Sequence, residues 1–95
     1  MTHINCHKSA REMFEELGYE LLIFDENLVV TYKKKQCISD IDYIQFNVGE
    51  RFIECFTTSD SPFTPAKQLP VSVKELKAIN KQIEELGWEW LLYEY

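Results

Sequence analysis

The amino-acid sequence predicts an α+β domain: a helix, a meander of four antiparallel strands, a second helix, and a fifth strand at the C-terminus. Two observations support this prediction. A similar short segment occurs twice, at residues 15–22 and 84–92, and each copy follows a segment that begins with Ser-x-x-Glu. Four short runs rich in β-branched and aromatic residues, the first of which overlaps the first copy, precede the second Ser-x-x-Glu, and such runs are typical of strands.

The two Ser-x-x-Glu sequences, at residues 9–12 and 72–75, predict helix starts. In such a capping box the serine side chain accepts a hydrogen bond from the glutamate amide, and the glutamate carboxylate accepts one from the serine amide. Gly18 and Gly87 predict helix ends, because glycine readily adopts the left-handed conformation that terminates a helix. The predicted helices span residues 9–17 and 72–86.

Apolar residues recur at spacings of three and four in both predicted helices, which places them on one face of each helix. In the first helix this stripe is Ala10, Met13, Phe14 and Leu17, and in the second it is Val73, Leu76, Ile79, Ile83 and Leu86. We expect both stripes to cover one face of the sheet.

The four predicted strands span residues 19–24, 28–34, 41–48 and 51–57. A polar loop at residues 25–27 joins the first pair. Gly49 lies in the turn between the last pair, and we expect it to supply a positive φ there. All three prolines fall within residues 58–70. We therefore predict that this segment is an ordered spacer and not a strand.

The aromatic-rich residues 88–93 are interpreted as a fifth strand beside the first one. The first strand is apolar on both faces, so it would be an aggregation-prone edge if it had no neighbour there. This interpretation gives the strand order 5-1-2-3-4, and a helical or unpaired tail is the alternative. Residues 1–8 show no periodicity and are expected to be flexible, which leaves a single domain over residues 9–95.

The composition indicates a soluble protein. The chain has 95 residues, 45% of them hydrophobic, and a formal net charge of −6. Its longest apolar runs have four residues, far fewer than a membrane span needs. Three widely spaced cysteines favour reduced thiols and a cytoplasmic location. Direct nucleic-acid binding is not expected, because it requires clustered Lys and Arg.

Residue types that support catalysis or metal binding are sparse. The only histidines, His3 and His7, lie with Cys6 in the unpatterned N-terminus, and a fourth zinc ligand would have to be the distant Cys37 or Cys55. The glycines are isolated and form no phosphate-binding loop. We therefore expect a non-enzymatic protein with no catalytic residues, no metal site and no cofactor.

Two groups of side chains remain as candidates for binding a partner. The first group is acidic and lies near the C-terminal ends of both helices, where negative charge opposes the helix dipole: Glu15, Glu16, Glu20, Glu84, Glu85, Glu89 and Glu94. The second is aromatic and suits an uncovered face of the sheet: Tyr43, Phe52, Phe56, Trp88 and Trp90. The alternatives are ordinary solvent-facing acids and aromatic core packing.

Residues 10–19 and 74–88 resemble segments of small proteins encoded in phages and prophages of low-GC Gram-positive bacteria. The resemblance implies a phage-type accessory protein. Small acidic phage proteins include anti-CRISPR and other anti-defence inhibitors, which occupy a basic groove of a host protein. By this analogy the expected function is a non-catalytic inhibitor of a CRISPR or other defence nuclease in the host cytoplasm. The alternative is a structural phage module that forms a homodimer through its aromatic sheet face.

Overall fold

The computed structural model describes residues 8–36, 40–59 and 65–88 of the chain. The elements, in chain order, are α1 (Ala10–Glu16), β1 (Glu20–Asp25), β2 (Val29–Lys35), β3 (Asp40–Asn47), β4 (Phe52–Ser59), β5 (Lys67–Gln68) and α2 (Val73–Glu85). The strands form one antiparallel sheet in the order β1-β2-β3-β4-β5. The predicted α+β class, with one helix before and one helix after the meander in sequence, is confirmed.

Both helices begin with the predicted capping box. Ser9 Oγ accepts a hydrogen bond from the amide of Glu12 at 3.1 Å, and the Glu12 carboxylate accepts one from the amide of Ser9 at 2.9 Å. Ser72 and Glu75 repeat this arrangement at the same distances. Gly18 (φ +96°) and Gly87 (φ +76°) lie just beyond the helices in the left-handed conformation, as predicted.

The hydrophobic core lies between the two helices and one face of the sheet, which we call the helix-side face. Phe14 of α1 is fully buried at its centre. The Phe14 ring stacks on Tyr32 of β2, with 4.0 Å between ring centroids, and meets Tyr19 and Phe46 edge-on. The other buried core residues are Val30, Ile44, Ala78, Ile79 and Ile83.

The two helices run antiparallel to each other, as two hydrogen bonds show. The carboxylate of Glu85, at the end of α2, accepts from the amide of Ala10, at the start of α1, at 2.8 Å. The hydroxyl of Tyr19, just after α1, donates at 2.6 Å to the carboxylate of Glu75 near the start of α2. Each end of one helix is therefore held to the opposite end of the other.

The buried face of α2 differs from the predicted one. Val73 and Leu76 are 70% and 48% exposed, so their assignment to the core stripe was wrong. Ala78 and Gln82 are buried instead. Gln82 can be buried because its amide oxygen accepts a 2.6 Å hydrogen bond from the hydroxyl of Tyr32, which removes the cost of burying an unpaired polar group.

Two predictions for the turns and the spacer were wrong. Lys67 and Gln68, placed in a strand-free spacer, pair with Thr57 and Phe56 of β4 and form β5. The neighbouring prolines restrict their own backbone and the residue before them, so a two-residue strand still fits. In the β3–β4 turn the positive φ belongs to Arg51 (+60°) and not to a glycine.

The fifth strand that the sequence predicts beside β1 falls mostly outside the described residues. Trp88 is described and lies in no strand, whereas residues 89–93 are not described. The fifth strand of the described sheet is β5, at the opposite edge, so within residues 8–36, 40–59 and 65–88 the strand β1 pairs with β2 alone. The predicted flexible N-terminus also lies outside the described residues, except for Lys8.

Candidate interaction surface

Five of the seven acidic candidates are described, and all five contact a hydrogen-bond donor of the same chain. Four of them pair with a basic side chain: Glu15 with Arg11 at 3.2 Å, Glu16 with Lys8, Glu20 with Lys33 at 3.5 Å, and Glu84 with Lys81 at 3.3 Å. The fifth, Glu85, accepts the hydrogen bond from the Ala10 amide. Glu89 and Glu94 lie outside the described residues.

The contact of Glu85 gives this acid a structural role. At the C-terminus of α2 its charge opposes the dipole of its own helix. The same carboxylate lies at the N-terminus of α1, where a negative charge is favourable and where amides lack a helical acceptor. The sequence suggested that selection for a partner explains an acid at this position, and the antiparallel packing of the helices supplies a different explanation.

The five described acids do not form one cluster. Because α1 and α2 run antiparallel, the C-terminal end of α1, with Glu15 and Glu16, and the C-terminal end of α2, with Glu84 and Glu85, lie at opposite ends of the helix layer. The four ion pairs lie at the surface, where such pairs are worth little and leave the charges in solvent. The acids therefore contribute to the net charge of the protein more than to a defined binding surface.

The aromatic candidates on the sheet do come together. Residues that face each other across β3 and β4 lie on the same side of the sheet, and Tyr43 pairs with Phe56, as Asn47 does with Phe52. The rings of Tyr43 and Phe56 stack with 5.1 Å between centroids. Phe52 is 40% exposed. These three side chains lie on the face opposite to the core, which we call the open face.

The rest of the open face follows from the strand register. Its central residue is Thr31 of β2, which is buried between its neighbours and donates from its hydroxyl to the amide oxygen of Gln45 at 3.3 Å. Ile23 of β1 lies opposite Thr31 and is exposed. The charged side chains that the register places on this face are Glu20, Asp25, Lys33, Lys35 and Glu54. The open face is therefore mixed: Lys33 lies directly opposite Tyr43, and Glu54 lies between Phe52 and Phe56 along β4.

The tryptophans do not extend this surface. Trp88 packs against the core on the helix-side face, where its ring meets Phe46 at 6.4 Å between centroids. It is therefore separated from Tyr43 and Phe56 by the sheet itself. Trp90 lies outside the described residues. Three of the five aromatic candidates thus lie on one face of the sheet, and two of them, Tyr43 and Phe56, are in contact.

The capping glutamate of α2 is part of a small polar network. One carboxylate oxygen of Glu75 accepts from the Ser72 amide, and the other accepts from the hydroxyl of Tyr19, whose ring lies under the ammonium group of Lys34 at 5.4 Å. Burial by itself raises the pKa of Glu75, but the hydrogen bonds from Ser72 and Tyr19 and the charge of Lys34 outweigh it and hold the pKa below its ordinary value. Burial, followed by the hydrogen bond to Glu75, strongly raises the pKa of Tyr19.

We expect the Glu75→Gln variant to lose less stability in acid than the wild-type protein does. A carboxyl whose pKa is lower in the folded state, as that of Glu75 is, stabilises the fold above its unfolded pKa, and that contribution is lost as the pH falls through the folded pKa. Urea unfolding of wild type and Glu75→Gln between pH 6 and about pH 2 should therefore show a shallower acid decline for the variant. Tyr19→Phe removes one donor and should fall between them, and identical declines in all three proteins would contradict the assignment.

The part of the chain that the structure describes contains one cysteine, Cys55, and no histidine. Cys55 lies on the helix-side face, packed against the core as a small apolar residue, and burial raises the pKa of its thiol, with a smaller contribution from the charge of Glu75. In residues 8–36, 40–59 and 65–88, no three His, Cys, Asp or Glu side chains are grouped to hold a metal ion. His3, Cys6, His7 and Cys37 lie outside those ranges.

Within the part of the chain that the structure describes, neither helix has the length and apolar character to cross a membrane. Comparison of the chain with protein-family models, with curated proteins and with solved structures gives no match.

Proposed function

We propose that this protein is a non-catalytic binding protein whose contact surface is the open face of the sheet. The observation that supports this most directly is the stacked pair of Tyr43 and Phe56, with the exposed Phe52 at the end of the same strand pair. Aromatic side chains of this kind contribute large contact areas with few rotatable bonds, so little conformational entropy is lost on binding.

The net charge of −6 favours a basic partner. Charge of this size accelerates the encounter with an oppositely charged surface, even when the individual acids do not lie in the final contact. Combined with the resemblance to phage proteins, this gives the specific proposal: an inhibitor that occupies a basic surface of a host defence nuclease, such as a CRISPR nuclease. In this proposal the aromatic open face supplies affinity, and the acids supply the rate of association.

A homodimer through the same face is the second candidate. It is favoured by the charges on the open face, where Lys33 and Lys35 of β2 share the surface with Glu20 of β1 and Glu54 of β4. Both signs are present, so two copies placed face to face do not meet as like-charged surfaces. In that case the protein is a structural module and not an inhibitor.

Substitution on the open face should weaken binding of the partner. With the protein as bait in lysate of a Gram-positive host, we expect a basic nuclease or its complex to be recovered and its binding to the purified bait to weaken as salt rises. Tyr43→Ser with Phe56→Ser should reduce the measured affinity by more than about tenfold, because two central aromatics each contribute at least about 1 kcal/mol. Phe52→Ser, a milder change, should reduce it less.

The matched control is Val73→Ser, which removes an apolar side chain that is 70% exposed on α2, and which should bind like wild type. Thermal melting of each variant shows that it is folded. An affinity unchanged by the Tyr43 and Phe56 substitutions would contradict the proposal. Analytical ultracentrifugation at two protein concentrations tests the alternative. A dimer that the same substitutions dissociate would support the homodimer instead.

A further inference from the structure

The outer edge of β1 combines three features that bear on its partners. Within the described residues its only strand neighbour is β2. The central residues Leu22, Ile23 and Phe24 are 47%, 45% and 52% exposed. An acid stands at each end of the strand, Glu20 and Asp25. An edge strand with exposed apolar residues is a template for the addition of another strand.

The same features disfavour a second copy of the chain as that strand. In the antiparallel pairing that overlaps all six residues of β1, Glu20 faces Asp25 of the other copy, and this contact occurs twice. Like charges directly opposite each other destabilise a strand pair. A register irregularity at Leu22, between Leu21 and Ile23, adds local twist, which further limits the pairing of long flat edges.

We propose that the β1 edge binds an extended segment of a partner protein that has an apolar centre and a Lys or Arg at each end. Main-chain hydrogen bonds to the edge of β1 that no described strand occupies supply the attachment, and the basic ends face Glu20 and Asp25. The side chain of Glu20 is 70% exposed and contacts Lys33 at 3.5 Å. One oxygen of Asp25 accepts from the Asn27 amide at 2.9 Å. Each carboxylate therefore keeps an oxygen for an incoming cation.

This inference goes beyond the proposed function, because it concerns the outer edge of β1. Glu20 and Asp25 border both that edge and the open face, whereas Tyr43 and Phe56 lie on β3 and β4. The inference also gives the two acids a common role. The two negative charges disfavour pairing with a second copy and favour a strand with basic ends. The same pair of charges therefore opposes self-association through this edge and determines which partner segment binds.

Two model hexapeptides test the inference, acetyl-KTIVTK-amide and acetyl-ETIVTE-amide, titrated into ¹⁵N-labelled protein. We expect the Lys-ended peptide to shift the amide signals of β1 and to bind about tenfold more tightly than the Glu-ended peptide, because two attractive end contacts replace two repulsive ones. The double variant Glu20→Lys with Asp25→Lys should reverse this order. A Lys-ended peptide with alternate amides methylated should lose binding, because it cannot pair as a strand.

The matched control changes the net charge equally at another place: Glu15→Lys with Glu84→Lys should keep the wild-type order of the two peptides. Equal binding of both peptides, or an order reversed equally by the control, would overturn the inference. The inference would also be overturned if something else covered the β1 edge. A second copy does so if the protection of β1 amides from hydrogen exchange rises with protein concentration. Residues 89–95 do so if that protection is lost in a chain that ends at Trp88. Tyr43→Ser should leave peptide binding unchanged, so the two proposals fail separately.

Discussion

Phe14→Ala is expected to lower the free energy of unfolding by about 3–5 kcal/mol, the usual cost of truncating a fully buried phenylalanine. Phe14 is completely buried, stacks on Tyr32 at 4.0 Å between ring centroids, and meets the rings of Tyr19 and Phe46 edge-on. Its position on a helix of seven residues makes this packing essential, since an isolated helix of that length is not stable in water. The loss is a large part of the roughly 5–15 kcal/mol available to a domain.

The measurement is urea unfolding followed by circular dichroism, with Phe24→Ala as the matched control. Phe24 is the same residue type on the neighbouring strand and is 52% exposed. The control should cost clearly less than the Phe14 substitution, because less apolar surface returns to water and no closed cavity remains. Equal losses from the two substitutions would show that the aromatic cluster around Phe14 is not the centre of the core.

The helix ends could be predicted because their signals are local. Ser9 with Glu12 and Ser72 with Glu75 form hydrogen bonds within four residues, so the chemistry of the capping box does not depend on the rest of the fold. The left-handed Gly18 follows from the same kind of local rule. Such features depend on neighbours in sequence and are readable without tertiary structure.

The errors fall where tertiary contacts override local patterns. Gln82 is polar, and only its hydrogen bond to Tyr32 on β2 makes its burial favourable. The spacing of the apolar residues predicted that Val73 and Leu76 lie in the core, because it could not take account of that hydrogen bond. Both residues are exposed. The two residues of β5 carry no strand signal of their own, and their pairing depends on the long neighbouring strand β4.

The candidate surface could be predicted only in part. The sequence suggested an uncovered sheet face for Tyr43 and Phe56, with core packing as the alternative, and the structure stacks them on the face opposite to the core. Alternation cannot show that Trp88 returns to the helix-side face, because the path of the chain after Gly87 depends on the turn that ends α2. The link between Glu85 and Ala10 joins residues 75 positions apart, and no motif in the sequence indicates it.

A chain that ends at Gly87 is expected to be much less stable than the full chain. Trp88 is half-buried and packs against the core, with its ring 6.4 Å from that of Phe46. Its amide also donates to the carbonyl of Ile83 at 3.1 Å, which helps to end α2. Returning about half of a tryptophan surface to water costs about 2–3 kcal/mol. For a domain of this size that corresponds to a fall of roughly 10–20 °C in the melting temperature.

Two further proteins separate the contribution of Trp88 from that of the residues after it. Trp88→Ala in the full chain removes the ring without creating a new terminal carboxylate at the end of α2, and should show most of the loss. A chain that ends at Trp88 keeps the ring, so any additional fall in its melting temperature measures residues 89–95, which include most of the fifth strand predicted from the sequence. If the chain that ends at Gly87 had the same melting temperature as the full chain, the packing of Trp88 on Phe46 would contribute nothing to stability. The aromatic C-terminus would then become the first region to substitute in the search for the partner, because large aromatic side chains that do not stabilise the fold are suited to an interface.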